Sequence, residues 1–179
     1  MKLISYRTLT LKDCERIKEI DASHFIRRAW REVEGKRQLV EINYLDPDWP
    51  AGYDEHYECL KHTIENKGAA IGVFDQEQNR LIGFITVERK FFGKEYDYVL
   101  LDQLYISRDC RGQGIGKKLF DLAAEQAKGW GADKFYIAAG SAEDTVAFYF
   151  SIGCSEAVEV NQEIYESDPR DYQLEFYLF

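Results

Sequence analysis

Apolar and polar positions change rhythm several times along the chain, and each rhythm predicts a different element. Residues 3–8 predict a short strand. Thr10-Leu11-Lys12-Asp13 then forms an acidic variant of a capping box that opens a helix through about residue 20, with Leu11, Cys14, Ile17 and Ile20 as its apolar positions. In residues 24–44, Phe25, Ile26, Trp30 and Val33 precede the polar run Glu34-Gly35-Lys36-Arg37, and Leu39, Val40, Ile42 and Tyr44 follow it, the pattern of two strands joined by a turn. The stretch Asp46-Pro47-Asp48-Trp49-Pro50-Ala51-Gly52 breaks regular structure. Residues 53–67 carry Tyr57, Leu60 and Ile64 at helical spacing, with Gly68 as a stop.

The second half is more regular. Residues 69–74 and 81–89 read as two buried strands around a polar turn. A strand over 98–107 runs into a glycine-rich loop, and the helix that follows carries Ile115, Leu119, Leu122 and Ala123 on one stripe. A strand at 134–138 and a helix at 143–151, closed by Gly153, come next, with final strands near 155–160 and 173–178. Hairpins in the middle and alternating strands and helices afterwards predict an α/β (α+β) fold with a mixed sheet covered by helices. No repeat, low-complexity tract or Pro-rich linker divides residues 1–179, so one domain is expected.

Composition narrows the chemistry. With 45% hydrophobic residues among 179, the chain can fill one core. A formal charge of -9 argues against a nucleic-acid or general polyphosphate binder, and with it against a DNA-binding regulator. No apolar run reaches membrane-spanning length and the start lacks a signal-peptide pattern, so a cytoplasmic protein is expected. Cys14, Cys59, Cys110 and Cys154 lie far apart, without a CxxC pair, and are expected as reduced thiols. The spacing of His56, Cys59 and His62 would fan the three side chains around a helix, so no metal site is expected. Residues 155–179 hold seven acids against one base, most of the net charge; that is either a solvated surface or a field that gathers a cationic substrate.

The candidate chemistry sits in Arg111-Gly112-Gln113-Gly114-Ile115-Gly116, where a strand turns into a helix. The unpaired N–H groups of such a first turn attract phosphate oxygens, and glycine lets the backbone approach closely. A Walker loop does not fit: only three residues separate Gly112 from Gly116-Lys117, and Lys118 stands where a Ser or Thr is needed. A dinucleotide fingerprint fits poorly, since the glycines run G-x-G-x-G. The signature R/Q-x-x-G-x-G/A is met by Arg111, Gly114 and Gly116. Leu104-Tyr105-Ile106-Ser107-Arg108-Asp109 precedes it, and Ala147-Phe148-Tyr149-Phe150-Ser151-Ile152-Gly153-Cys154 matches an A-x-Y-x-x-x-G-F segment downstream. On these residues, over roughly 69–154, the chain resembles the GNAT superfamily of acyl-CoA-dependent N-acyltransferases.

That resemblance implies a mostly antiparallel sheet whose central parallel strands splay apart, here residues 104–106 away from 135–138, with acetyl-CoA as acyl donor in the gap. Residues 69–154 would form the acetyl-CoA-binding core, 1–68 the variable acceptor side and 155–179 the acidic terminal strands. Leu104, Tyr105 and Ile106 would line the pantetheine arm; Arg111, Gly112, Gln113, Gly114, Ile115 and Gly116 would hold the diphosphate, with Arg111 or Lys117 as a supporting charge. Tyr149 is the implied acid for the leaving thiolate, with a core aromatic as the plain alternative. A carboxylate that some relatives use is missing from Phe135-Tyr136-Ile137-Ala138-Ala139, and Ser141-Ala142 replaces the family's asparagine. Asp102 is therefore the candidate base, by strand parity with Leu104 and Ile106, unless it is merely a polar residue at a bend.

The function implied is acetyl transfer to a primary amine of a small molecule, a cationic one favoured by the charge balance, or of a peptide. Trp30, Tyr44, Trp49 and Tyr53 are candidates for the floor of the acceptor pocket, unless they are packing residues. The alternative is a non-catalytic acyl-CoA-binding sensor or interaction module. A homodimer is compatible with the sequence, which does not decide the oligomeric state.

Overall fold

The computed structural model describes residues 3–179. One seven-stranded sheet forms the body, from β1 (Ile4–Thr8), β4 (Ala69–Asp75), β5 (Arg80–Val87), β6 (Tyr98–Ile106), β7 (Lys134–Ala139), β9 (Tyr172–Tyr177) and β8 (Ser155–Glu156), in that spatial order. All neighbours are antiparallel except β6 and β7, which are parallel. This is the mixed, mostly antiparallel sheet expected. β2 (His24–Val33) and β3 (Lys36–Asp46) form a separate two-stranded sheet.

β4 and β5 are buried along almost their whole length because both faces of the sheet are covered. On one face Cys14, Ile17, Trp49 and Leu60 pack with Ala70, Phe74, Leu81 and Phe84. Leu60 belongs to α1 (Tyr53–Glu65). On the other face Ile71, Val73, Ile82 and Ile85 meet Ile115, Leu119 and Ala123 of α2 (Ile115–Gly129) and Val146 of α3 (Glu143–Ser151).

Three expectations are refined. The helix opened by Thr10 is present over Leu11–Glu19 and is a 3-10 helix. Its apolar positions recur every three residues, which suits three residues per turn, and Cys14, Ile17 and Ile20 are buried while Leu11 is exposed. Its N-terminus is fixed by Asp13, which accepts from the Thr10 N–H at 2.8 Å and pairs with Arg7 at 2.8 Å. The hydrogen bond from Arg7 holds the Asp13 carboxyl down at about 2. The hairpin turn narrows to Glu34-Gly35, both with positive φ (52° and 75°), as a two-residue connection between twisted strands requires. The strand expected at 155–160 shrinks to Ser155–Glu156, and α4 (Gln162–Ser167) follows, its first turn capped by Asn161 accepting from the Ile164 N–H at 3.0 Å.

β6 and β7 pair only at their starts, through Tyr98, Val99 and Leu100 against Lys134, Phe135 and Tyr136. Beyond, each keeps its outer neighbour, β5 or β9, and a gap opens between them. The splay therefore starts after Tyr136, so Phe135 and Tyr136 belong to the closed base. There the Lys134 ammonium, fully buried, meets Glu175 at 2.8 Å; the Tyr98 hydroxyl donates to the same carboxylate at 2.6 Å. The rings of Tyr96 and Tyr177 lie 3.8 and 4.0 Å from the ammonium. Burial works against both charges, yet the pair keeps Lys134 above and Glu175 below its ordinary value.

Candidate active site

The glycine loop lies at the open end of β6. Gly112 and Gly114 adopt φ of +74° and +79°, where an L-residue is strained, and a Cβ on either would meet nothing within 4 Å. Bare backbone thus faces open space at the start of α2. The Lys118 N–H is bonded to the Gly114 carbonyl at 3.1 Å; the preceding amides belong to the first turn, which has no intrahelical acceptors. Gly116 is in the helix, its added Cβ in ordinary contact with the Phe148 ring at 3.4 Å. Ile115 is buried core.

The charged side chains of the loop are already engaged. Arg111 donates to the carbonyls of Ile106 (2.9 Å), Ser23 (2.8 Å) and Asp21 (3.4 Å). It ties the loop to the end of β6 and to the segment before β2. Lys117 pairs with Asp121 at 2.7 Å, and the Gln113 amide reaches the Asp109 carbonyl at 3.5 Å.

Leu104, Tyr105 and Ile106 form the β6 wall of the gap, paired outward with Ile85, Phe84 and Gly83. The Ser107 N–H bonds to Ile82 on β5 at 2.8 Å, so strand alternation turns the amides of Leu104 and Ile106 the other way, into the gap. Those N–H groups lie where an extended chain inserted between β6 and β7 would meet them.

Asp102 interrupts the alternation. Thr86 pairs with Gln103 but Val87 pairs with Leu101, which leaves Asp102 as the extra residue of a β-bulge. Its expected parity with Leu104 and Ile106 is therefore lost. Those two pack on the α2 face of the sheet, whereas Gln103 and Tyr105 contact His56 of α1 on the other. The Asp102 carboxyl sits in the field of α1: it reaches water, but surrounding protein pushes it up to about 6, helped by Glu88 and opposed by His56.

Sequence reasoning named Trp49 and Asp102 but missed His56 and Gln103 beside Tyr105. Its half-buried ring touches Trp49 (4.9 Å between centroids), His56 (5.0 Å) and Phe84 (6.1 Å), and its hydroxyl has no hydrogen-bond partner among the described residues. Burial, then the charges of Asp102, Asp171 and Asp46, raise its phenol. Asp171 directly precedes Tyr172, which pairs with Ala139 at the end of β7. Both nitrogens of His56 meet oxygens, Gln103 Oε1 at 2.8 Å and the Pro50 carbonyl at 2.6 Å, while Gln103 Nε2 is buried without a hydrogen-bond partner among the described residues.

Tyr149 stands on α3, buried, with no hydrogen-bond partner for its hydroxyl among the described residues. Burial raises its phenol, followed by Cys154 and Tyr105, which places Tyr149 and Tyr105 within electrostatic reach. Of the four aromatic candidates, Trp49 joins Tyr105. Trp30 packs on Tyr172 at 6.0 Å, Tyr53 on Tyr57 at 6.1 Å, and Tyr44 is exposed.

β2 spans the mouth of the gap. Before it, the Asp21 N–H reaches Ser107 Oγ at 3.0 Å; farther along, the Trp30 N–H bonds to the Ser141 carbonyl at 2.8 Å and Arg28 grips Glu143 at 2.5 and 2.8 Å. Two shallow cavities of about 310 and 340 Å3 lie elsewhere, beside α4, and contain none of these residues. Among the described residues no cluster of His, Cys, Asp or Glu could hold a metal, and no helix is long and apolar enough to cross a membrane.

Known structures share this architecture. A nourseothricin acetyltransferase is 18% identical, with 98% of this chain and 99% of that one covered at a TM-score of 0.71. The PaiA N-acetyltransferase of Thermoplasma acidophilum, solved with coenzyme A, is 20% identical over 98% and 99% of the chains, with a TM-score of 0.62. A chain of the NatC complex, bound to a Gag peptide and CoA, is 18% identical over the full length of both, with a TM-score of 0.63. A comparison with curated proteins finds no matching sequence. The sequence profile of the Acetyltransferase (GNAT) family matches residues 36–153, and with the splayed sheet and its glycine loop the chain belongs to that family.

Proposed function

We propose that the protein transfers an acetyl group from acetyl-CoA to a primary amine by direct attack. The observation that carries this reading is the paired opening: bare glycine backbone at the start of α2, beside a strand whose amides at Leu104 and Ile106 face the gap between β6 and β7. The loop amides hold the diphosphate, and the strand amides take the pantetheine arm as an added strand. Arg111 acts by fixing the loop against β6 rather than by reaching the diphosphate itself, and Lys117 adds charge at its edge. Solved relatives bound to coenzyme A support this reading.

Asp102 takes a proton from the ammonium form of the acceptor, directly or through water, which frees the nitrogen lone pair. As nitrogen bonds to the thioester carbon, an amide from residues 104–106 steadies the oxyanion. The C–S bond then breaks, Tyr149 gives its hydroxyl proton to the thiolate, and the second amine proton restores the phenol. A thiol intermediate is disfavoured: burial pushes Cys59 up to about 11 and Cys154 up to about 12, so neither is a ready nucleophile.

The test is incubation with acetyl-CoA and a panel of amines, following free-thiol release. Turnover on at least one amine is expected. Tight coenzyme A binding without turnover on any would favour the non-catalytic module, and no binding at all would sink the reading.

A further inference from the structure

One buried side chain ties together the elements that meet beside Tyr105. His56 lies on α1, and each of its ring nitrogens reaches an oxygen of a different part of the chain. Nε2 meets the Pro50 carbonyl at 2.6 Å, and Nδ1 meets the side-chain amide of Gln103 on β6 at 2.8 Å. A carbonyl only accepts, so Nε2 carries a hydrogen and donates it. The ring packs on Trp49 at 4.9 Å and on Tyr105 at 5.0 Å, and those two rings lie 4.9 Å from each other.

The segment that His56 holds runs from the end of β3 at Asp46 to the start of α1 at Tyr53. It contains Pro47 and Pro50 and turns through Ala51 and Gly52 at φ of 63° and 93°. The bonds from its Trp49 and Gly52 amides, to Asp48 Oδ1 at 2.8 Å and the Trp49 carbonyl at 2.9 Å, stay inside it. On the other side of the imidazole, Gln103 adjoins the bulge at Asp102, and Tyr105 stands between Leu104 and Ile106, whose amides face the gap. Since Nε2 donates to the loop and Nδ1 lies against Gln103, His56 has no nitrogen left to take a proton from an amine. We propose that His56 is a positioning residue for the acceptor: it fastens the Trp49 loop to β6, so that Trp49 and Tyr105 act as one wall that orients the amine. What the wall binds rests on the transferase reading; the fastening does not.

The experiment is steady-state kinetics with acetyl-CoA and the amine of the panel that the unmodified protein acetylates fastest. His56→Phe keeps a ring in place and loses both bonds, so the acceptor KM should rise about tenfold while kcat and the acetyl-CoA KM stay within about threefold. His56→Gln puts an amide nitrogen near the place of Nε2 and should bring the acceptor KM back to within about threefold; His56→Asn, which reaches only the Nδ1 side, should not. If His56→Phe does not fold, the pair His56→Gln and His56→Asn carries the comparison. Hydrogen exchange reads the fastening without any acceptor: the Gly52 N–H should exchange about tenfold faster in His56→Asn than in the unmodified protein or in His56→Gln. Equal acceptor KM in all variants, a kcat loss of about a hundredfold in His56→Gln, or unchanged Gly52 exchange would overturn the proposal. Absence of turnover on every amine would instead sink the transferase reading, and Gly52 exchange would still decide whether His56 fastens the loop.

Discussion

The base and the mouth of the β6–β7 splay use the same kinds of residue in opposite ways. At the base Lys134, Glu175 and Tyr98 are buried and joined to one another, with two tyrosine rings around the ammonium. At the mouth the side chains of Asp102, Asp171, Tyr105 and Tyr149 have no hydrogen-bond partner among the described residues. Polar groups inside a fold are normally satisfied, so a satisfied set is architecture and an unsatisfied set lining an opening is suited to a ligand. Both sets are needed: the pinned base sets where the strands part, and the parting exposes the amides of β6.

This contrast can be broken most forcefully at the base. Lys134→Met leaves Glu175 buried without its cation, and urea denaturation should record a loss of about 3–5 kcal/mol; adding Glu175→Leu should recover much of it. A loss below about 1 kcal/mol would mean that the pair does not hold the base. At the mouth, Tyr149→Phe should cut kcat by about a hundredfold while leaving Tm nearly unchanged, because the lost hydroxyl has no hydrogen-bond partner among the described residues. Unchanged kcat would remove Tyr149 as the acid. The smallest change is at the loop: Gly114→Ala, at a φ of +79°, should cost about 1–2 kcal/mol in stability and weaken coenzyme A binding about tenfold, read by denaturation and calorimetry. Undiminished affinity would separate the loop from the cofactor.

The glycine loop was legible in the sequence because its requirements are local: positive φ and absent side chains are written in the residues themselves. The hairpins around Glu34-Gly35 and in the middle of the chain were legible for the same reason. Asp102 was assigned to the wrong face because a bulge is a property of two strands, and Leu101 and Gln103 give no sign that they flank an unpaired residue. Asp171 counted only as one acid in an acidic tail. Its place beside the end of β7 follows from the pairing of Tyr172 with Ala139, a contact between distant parts of the chain. α4 left a readable trace, Asn161 as its cap, overlooked beside the apolar Val158 and Val160.

The hairpin of β2 and β3 has a hydrogen-bond ladder of its own and is not part of the seven-stranded sheet; β2 joins the body along its length, through Arg28, Ala29, Trp30 and Arg31 against residues 141–143. The exposed positions of β3 can therefore be rewritten without disturbing the register of the seven strands behind it. Such an arrangement resembles an interchangeable cartridge, and transplanting the segment from a relative would test whether it sets the substrate on the proposed acceptor side.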